Sequence, residues 1–270
     1  MNPVVVSEPG DPAVPNEDWA AASRDTIVVL DGATARIDTG CRHGVAWYVA
    51  KLGVALMSAV AERPELSLQE ALADSIRQVA GMHPECDLRH PGTPSAGVAI
   101  VRLQGDFLEY LVLADTVIVI QTERGIRVFT DDRVSNVARN ERAAATALPL
   151  DSNERKAALG EMKRREQDAR NRPGGFWVAA ADPEAAKHAI VGSLAMQDTT
   201  AIAVLTDGAA RCVTPFALIT WGDVLRILDT DGPAELISQV RKIESSDPEA
   251  ERWRRSKRSD DATVAYATLP

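Results

Sequence analysis

Aromatic residues make up only 4% of this 270-residue chain, and there are three cysteines, Cys41, Cys86 and Cys212. Cysteines so few and so scattered exclude a disulfide framework, and a reducing cytoplasm is the expected setting. No apolar run approaches the roughly 20 residues that a membrane span requires. The opening "MNPVVVSEPGDP" lacks both the basic n-region and the long apolar stretch of a secretory signal. An excess of positive charge is also lacking. The formal net charge is −9, whereas a duplex binder needs a basic face to displace counterions. The basic clusters "EMKRREQDARNR" and "ERWRRSKR" are interleaved with acids and read as solvated helix faces. No Gly-x-Ser-x-Gly elbow offers a nucleophilic serine. Neither nucleic acid nor membrane is therefore an expected partner.

What is present is enough apolar residue, 45%, to bury a substantial core in one large domain or two small ones. The first dozen residues, rich in Pro and Gly, read as an irregular arm. "WAAAS" and "TIVVLD" read as two short strands joined at Arg24 and Asp25. In "GCRHGVAWYVAKLGVALMSAVAE" the apolar spacing turns helical, with Val45, Tyr48, Val49 and Leu52 on one stripe, and Pro64 ends it. Ser67 and Glu70 then have the spacing of a capping box. The stretch from Ser95 to Thr130 holds three β-branched runs divided by "QGD" and "ERG", which predicts an antiparallel meander. Residues 135–172 change to Ala, Arg, Glu and Lys and read as helix or a mobile excursion. "TTAIAVLTDG" returns to strand, the "WGDVLRILDTDGPAELISQVRKIESS" segment predicts one or two amphipathic helices, and "DATVAYATL" closes with a strand. Without regular βαβ alternation, the fold class is α+β built on antiparallel sheets.

Acids gather where apolar strands meet turns: Glu17 and Asp18 in "NEDW", Asp31 in "VVLDG", Asp115 in "LADT", Asp207 in "LTDG", and Asp260 with Asp261 in "DDATV". Each Asp-Gly alone is an ordinary turn. Carboxylates brought together at one sheet edge, however, repel unless a cation neutralises them. Hard oxygen donors without Cys or His select Mg²⁺ or Mn²⁺ over Zn²⁺. Gly32 and Gly208 would allow close backbone approach, so that a carbonyl could join the ligands. His83, Cys86 and His90 have loosely metal-like spacing, but Pro84 and Pro91 interrupt helix there and a zinc site would want a fourth ligand. Cys41 and His43, at a helix start, read as packing and polar surface.

In order, N-E-D, strand plus D-G, L-A-D-T, L-T-D-G and D-D-A-T-V resemble the metal-dependent type 2C (PPM) Ser/Thr protein phosphatases, in a divergent bacterial-type form. The resemblance spans about Asn16 to Tyr266. It implies a single domain over 1–270 with two packed antiparallel β-sheets flanked by helices on both outer faces, and a flap-like insertion at about 135–175. It implies Mn²⁺ or Mg²⁺, two ions with a third possible in bacterial relatives, and hydrolysis by a dimetal-bridging water attacking in line. By the same resemblance Asp31 bridges two metals with help from the Gly32 carbonyl, and Asp207 and Asp260 serve the first. Glu17 serves the second through water, Asp18 orients metal-bound water, and Asp115 helps hold the third. Asp261 replaces the family's Asn. The chain departs from the pattern at Ala13, where relatives carry a phosphate-binding Arg, and at Ala33, where animal members carry His. Arg36 and Arg42 are the candidate replacements for the phosphate anchor. The expected substrate is a phosphoprotein. The alternatives are a small phosphorylated metabolite and a phosphatase-like regulatory or binding module with weak or no turnover.

Overall fold

In the computed structural model, which describes residues 1–269, alternation along the strands decides the layering. In β3 (Thr26–Gly32), Val28 and Leu30 pack to one side while Ile27 and Val29 pack to the other. In β4 (Ala96–Gln104), Val98 and Ile100 alternate in the same way with Ala99 and Val101. Strands apolar on both faces belong between two layers. Together with β2 (Asp18–Ala22), β5 (Phe107–Leu113) and β8 (Ile190–Ala195) they form a sheet of order β2-β3-β4-β5-β8. The second sheet has order β1-β10-β9-β6-β7, from β1 (Val4–Glu8), β10 (Ala262–Thr268), β9 (Thr199–Leu205), β6 (Val117–Thr122) and β7 (Gly125–Phe129). All pairings are antiparallel. Ile27, Val29, Ile118, Ile202, Val204 and Ala265 fill the space between the sheets.

Helices cover both outer faces. On the first sheet lie α1 (Gly44–Glu62) and α2 (Leu68–Ala80), and on the second α7 (Trp221–Thr230) and α8 (Pro233–Ser246). The α+β sandwich of two antiparallel sheets flanked by helices therefore stands. The capping box is formed as well: Ser67 Oγ accepts from the Glu70 N–H at 3.2 Å, and Glu70 Oε2 accepts from the Ser67 N–H at 2.9 Å.

Three expectations are corrected. The arm at 1–12 is not irregular throughout, because the Val4–Val6 run makes β1, paired to β10 from Val4↔Tyr266 to Glu8↔Ala262. The Pro and Gly residues that suggested irregularity flank the strand, Pro3 before it and Pro9, Gly10 and Pro12 after it, and none interrupts it. The meander is split. The two turns make two hairpins, β4–β5 and β6–β7, but the chain changes sheets between them at Ala114–Thr116. Strands β4, β5 and β6 are apolar on both faces, so alternation could not reveal the crossing. Finally, α1 is long and apolar enough to cross a membrane by length and composition, a pattern that Lys51 hides in the sequence. Here Val45, Tyr48, Val49, Leu52 and Leu56 bury it in the core beside β3 and α2.

Residues 133–169 are helical, in α3 (Arg133–Asn136), α4 (Arg139–Thr146) and α5 (Asn153–Ala169). The last two are tied by Arg142 to Glu166 at 2.8 Å. The short α6 (Asp207–Ala210) follows β9 directly.

Candidate metal centre

Register explains why the acids converge. Asp18 and Asp31 are direct cross-strand partners on β2 and β3. Leu205 of β9 pairs with Val117 on one side and Val264 on the other. Asp115 lies just before Val117, Asp207 just after Leu205, and Asp260 and Asp261 just before β10, so all reach the same end of the sandwich. Hydrogen bonds to the carboxylates fasten the two sheets there. The Asp207 N–H donates to Asp31 Oδ2 at 3.1 Å, and the Thr206 hydroxyl donates to Asp18 Oδ2 at 2.9 Å. Asp261 accepts from the Gly10 and Glu17 N–H groups at 2.8 and 2.7 Å, which occupies both its oxygens as a clamp. It is a structural acid of this end.

Both Asp-Gly glycines are required by proximity. A Cβ on Gly32 would overlap the Glu17 carbonyl oxygen and stand 2.6 Å from Val45 Cγ1. On Gly208 it would overlap the Asp261 carbonyl oxygen and stand 3.2 Å from Asp260 Cβ. The acids on neighbouring strands can meet because these two positions have no side chain.

The electrostatics are those of buried acids crowded together, whose ionised forms burial and mutual repulsion oppose. Burial, then Asp207, Asp18, Asp115 and Asp260, holds Asp31 well above the usual carboxylate range. Burial pushes buried Asp18 up to about 8 despite the Thr263 and Thr206 hydrogen bonds, and lifts Asp115 to about 7 with help from Asp207. Asp207 is raised by desolvation and Asp260, although the residue remains exposed, and Glu17 is raised chiefly by desolvation. Among the described residues no Lys or Arg forms an ion pair with Asp18, Asp31, Asp115 or Asp207. Hard oxygen donors, uncompensated and converging, fit a divalent cation of the Mg²⁺ or Mn²⁺ type.

Asp260 is different. Lys257 Nζ donates to its Oδ1 at 2.5 Å and Arg211 to its Oδ2 at 2.9 Å. Against the desolvation that raises it, these two cations hold Asp260 below the ordinary value. Lys257 also donates to Thr34 Oγ at 2.6 Å, and Thr34 donates to Glu17 Oε2 at 2.5 Å. An ammonium thus joins the two ends of the acid set. The sequence reading missed both cations and took "ERWRRSKR" for a solvated face. Instead Arg255 is buried on Asp247 at 2.9 Å, and Lys257 turns into the site. The available signal was spacing: Lys257 is three residues before Asp260, and Arg211 is four after Asp207.

Arg36 and Arg42 part company. Arg36 is half-buried, and its one hydrogen bond among the described residues is to the Ser256 carbonyl at 3.4 Å. Desolvation lowers its pKa, against the opposing charges of Asp260, Glu166 and Glu17, so it borders the acids. Arg42 is exposed and paired to Glu85 at 2.5 Å, and among the described residues it shows no hydrogen bond or ion pair to the acids of the cluster. A cleft of about 600 Å³ opens beside α5, at Ile37–Asp38 and His90–Pro91, and none of the carboxylates of the cluster line it.

Comparisons agree with this arrangement. The protein phosphatase 2C family model matches residues 14–242, which takes in Glu17 to Asp207 and stops short of Asp260. Among solved structures, the PPM Ser/Thr phosphatase MsPP of Mycobacterium smegmatis, in complex with cacodylate, is 14% identical with a TM-score of 0.57, covering 100% of this chain and 99% of its own. The Mycobacterium tuberculosis phosphatase PstP/Ppp is 14% identical at 0.56, covering 99% and 98%. Stp1 of Staphylococcus aureus is 12% identical at 0.59, covering 100% and 95%. No curated protein sequence matches the chain. With a family model spanning most of its length and the sandwich to go with it, the chain belongs to the protein phosphatase 2C family of metal-dependent phosphatases.

Proposed function

We propose that the chain hydrolyses phosphomonoesters with Mn²⁺ or Mg²⁺, its substrate being phosphorylated Ser or Thr on a protein. The observation that carries this reading is Asp31, surrounded by acids and facing no cation. A divalent pair bound there would supply an acidified water and would neutralise phosphoryl oxygens as charge develops. Asp31 and the Gly32 carbonyl, with Asp207, Asp115 and Asp260, would hold the ions. Glu17, fixed by Thr34, would serve through water. Asp18, held by the Thr206 hydroxyl from the other sheet and opposite Asp31 on the β2–β3 ladder, would orient that water. With Ala13 in place of an arginine, Arg36 and Lys257 are the cations placed to receive a phosphate. Helices α4 and α5 border the site through Glu166, whose charge reaches Asp115 and Arg36, as a substrate-gating segment would.

The doubly paired Asp260 favours a second reading, a phosphatase-like binding module with weak turnover, because a ligand held by Lys257 and Arg211 must be released before it can coordinate. Hydrolysis of p-nitrophenyl phosphate separates the two. The expected result is turnover that needs Mn²⁺, stops with EDTA, and falls at least about 100-fold in Asp207→Asn, where a metal ligand is lost. Absence of turnover, or turnover indifferent to metal and to Asp207, sinks the enzyme reading. A panel of phosphopeptides against phosphorylated metabolites decides the substrate class.

Arg36→Ala is expected to raise KM about ten-fold with little change in kcat, the worth of one charge-assisted hydrogen bond. An unchanged KM removes Arg36 from the substrate site.

A further inference from the structure

Away from the carboxylates, the fold brings together four soft donors that are far apart in the sequence. Cys41 and His43 lie in the loop that runs from Asp31 to the start of α1, and His83 and Cys86 lie in the loop after α2. One ligand atom from each falls within 4.8 Å of all the others. Cys41 Sγ stands 3.7 Å from His43 Nδ1 and 3.5 Å from His83 Nδ1, and Cys86 Sγ stands 3.4 Å from His43 Nδ1. A tetrahedral zinc with Zn–S of about 2.3 Å and Zn–N of about 2.05 Å has S···N edges of about 3.6 Å. The observed spacings bracket that edge.

The surroundings are those of ligands held in place. The His43 N–H donates to Cys41 Sγ at 3.4 Å, which holds the sulfur on the side of the His43 ring. Trp47, one turn along α1, stacks on the His43 ring with centroids 4.3 Å apart and meets the His83 ring edge-on at 4.5 Å, fixing both imidazoles. His83 is buried, and Arg42–Glu85 spans the same two loops on the outside. His90, the third residue of the spacing seen in the sequence, is elsewhere: its Nδ1 accepts from the Gly92 N–H at 3.0 Å and its Nε2 faces Asp38. The fourth and third ligands missing from that spacing come from Cys41 and His43, which the sequence reading had assigned to packing and polar surface.

We propose that Cys41, His43, His83 and Cys86 bind one structural zinc ion that fastens the loop after Asp31 to the loop after α2. Four protein ligands leave no open position, so the site is structural rather than catalytic. Thiolate and imidazole select zinc over the hard cations suited to the carboxylate cluster. Binding displaces protons from the two thiols and changes no oxidation state.

The test uses the full chain, stripped of loosely held metal on a chelating resin. About one zinc per chain is expected to remain by elemental analysis, to be released by an organomercurial, and to be absent from Cys86→Ser. Zinc should be retained in Asp31→Asn and in Cys212→Ser. Replacement by Co²⁺ in the wild-type chain should give tetrahedral d–d absorption with thiolate-to-cobalt charge transfer, which an all-oxygen site cannot produce. This spectrum needs no variant, so misfolding of Cys86→Ser leaves the test intact. Zinc that persists in a Cys41→Ser/Cys86→Ser chain, a Co²⁺ spectrum without thiolate charge transfer, or a Cys41–Cys86 disulfide in place of metal overturns the proposal.

Discussion

Asp31→Asn is expected to move activity and metal-free stability in opposite directions. Activity should fall by about 10³-fold or more in kcat/KM, because the carboxylate central to the cluster is gone. After chelation, by contrast, the variant should melt a few degrees higher than wild type. Burial and four acids oppose ionisation of Asp31 in the folded state, whereas the unfolded chain ionises it freely. Asparagine removes that conflict and can still accept from the Asp207 N–H. A gain on the order of 1–2 kcal/mol corresponds to about 2–8 °C in a chain of this size.

The same sign governs pH. Asp18 near 8, Asp115 near 7 and the raised Asp31 and Asp207 all bind protons in the folded state at pH values where the unfolded chain, with carboxylates near 4, has lost them. The folded state then holds more protons, and stability falls as pH rises. The chelated protein should accordingly lose melting temperature between about pH 5 and 8. Mn²⁺ competes with those protons, so the rise in melting temperature it produces should be larger at the alkaline end of that window. Calorimetry of wild type and Asp31→Asn, with EDTA and with Mn²⁺, reads both effects. A variant that keeps its Mn²⁺ shift, or a chelated wild type whose stability climbs from pH 5 to 8, would show that these acids do not form one cation site.

Gly208→Ala carries the second large effect. The added methyl would overlap the Asp261 carbonyl oxygen and press on the Asp260 side chain. The obstacle is backbone on a strand lead-in that is itself clamped to Gly10 and Glu17, so it cannot swing away. A loss of about 2–4 kcal/mol is expected, with Asp207 and Asp260 driven apart and metal-dependent turnover lost even in the fraction that folds. Gly160→Ala provides the contrast. It lies inside α5 with its nearest neighbour, Ile37 Cγ2, at 3.9 Å. Exchange of glycine for alanine in a helix interior should add up to about 1 kcal/mol. Equal melting temperatures for the two variants would mean that strand proximity does not constrain Gly208.

The legible parts of the molecule were those with a local cause. The hairpin at Arg24–Asp25, the α1 stripe, the capping box and the strand ends bearing acids each follow from spacing within a dozen residues. Gly32 and Gly208 were legible as permissive positions, and the contacts that demand them, Glu17 and Asp261, became visible only in three dimensions. The sheet change at Ala114–Thr116 was hidden because β4, β5 and β6 are apolar on both faces, which erases the alternation that would assign them. Lys257 was hidden by its company: among the four other basic residues of "ERWRRSKR", only its spacing to Asp260 marks the one that turns inward. The soft-donor cluster failed for a further reason. Its two halves flank the α1–α2 pair, so no spacing along the chain joins Cys41 and His43 to His83 and Cys86.

The clamp formed by Asp261 has a consequence for synthesis. Its acceptors hold the Gly10 and Glu17 N–H groups, and β10 must pair with both β1 and β9 before the end of the sandwich closes. These are contacts of very long sequence separation, whose closure entropy is met late. On the ribosome, Asp31, Asp115 and Asp207 all emerge well before residue 260, when neither the clamp nor Asp260 yet exists. The acid set is therefore complete only once β10 has paired, because Asp260 and the Asp261 clamp arrive with that strand.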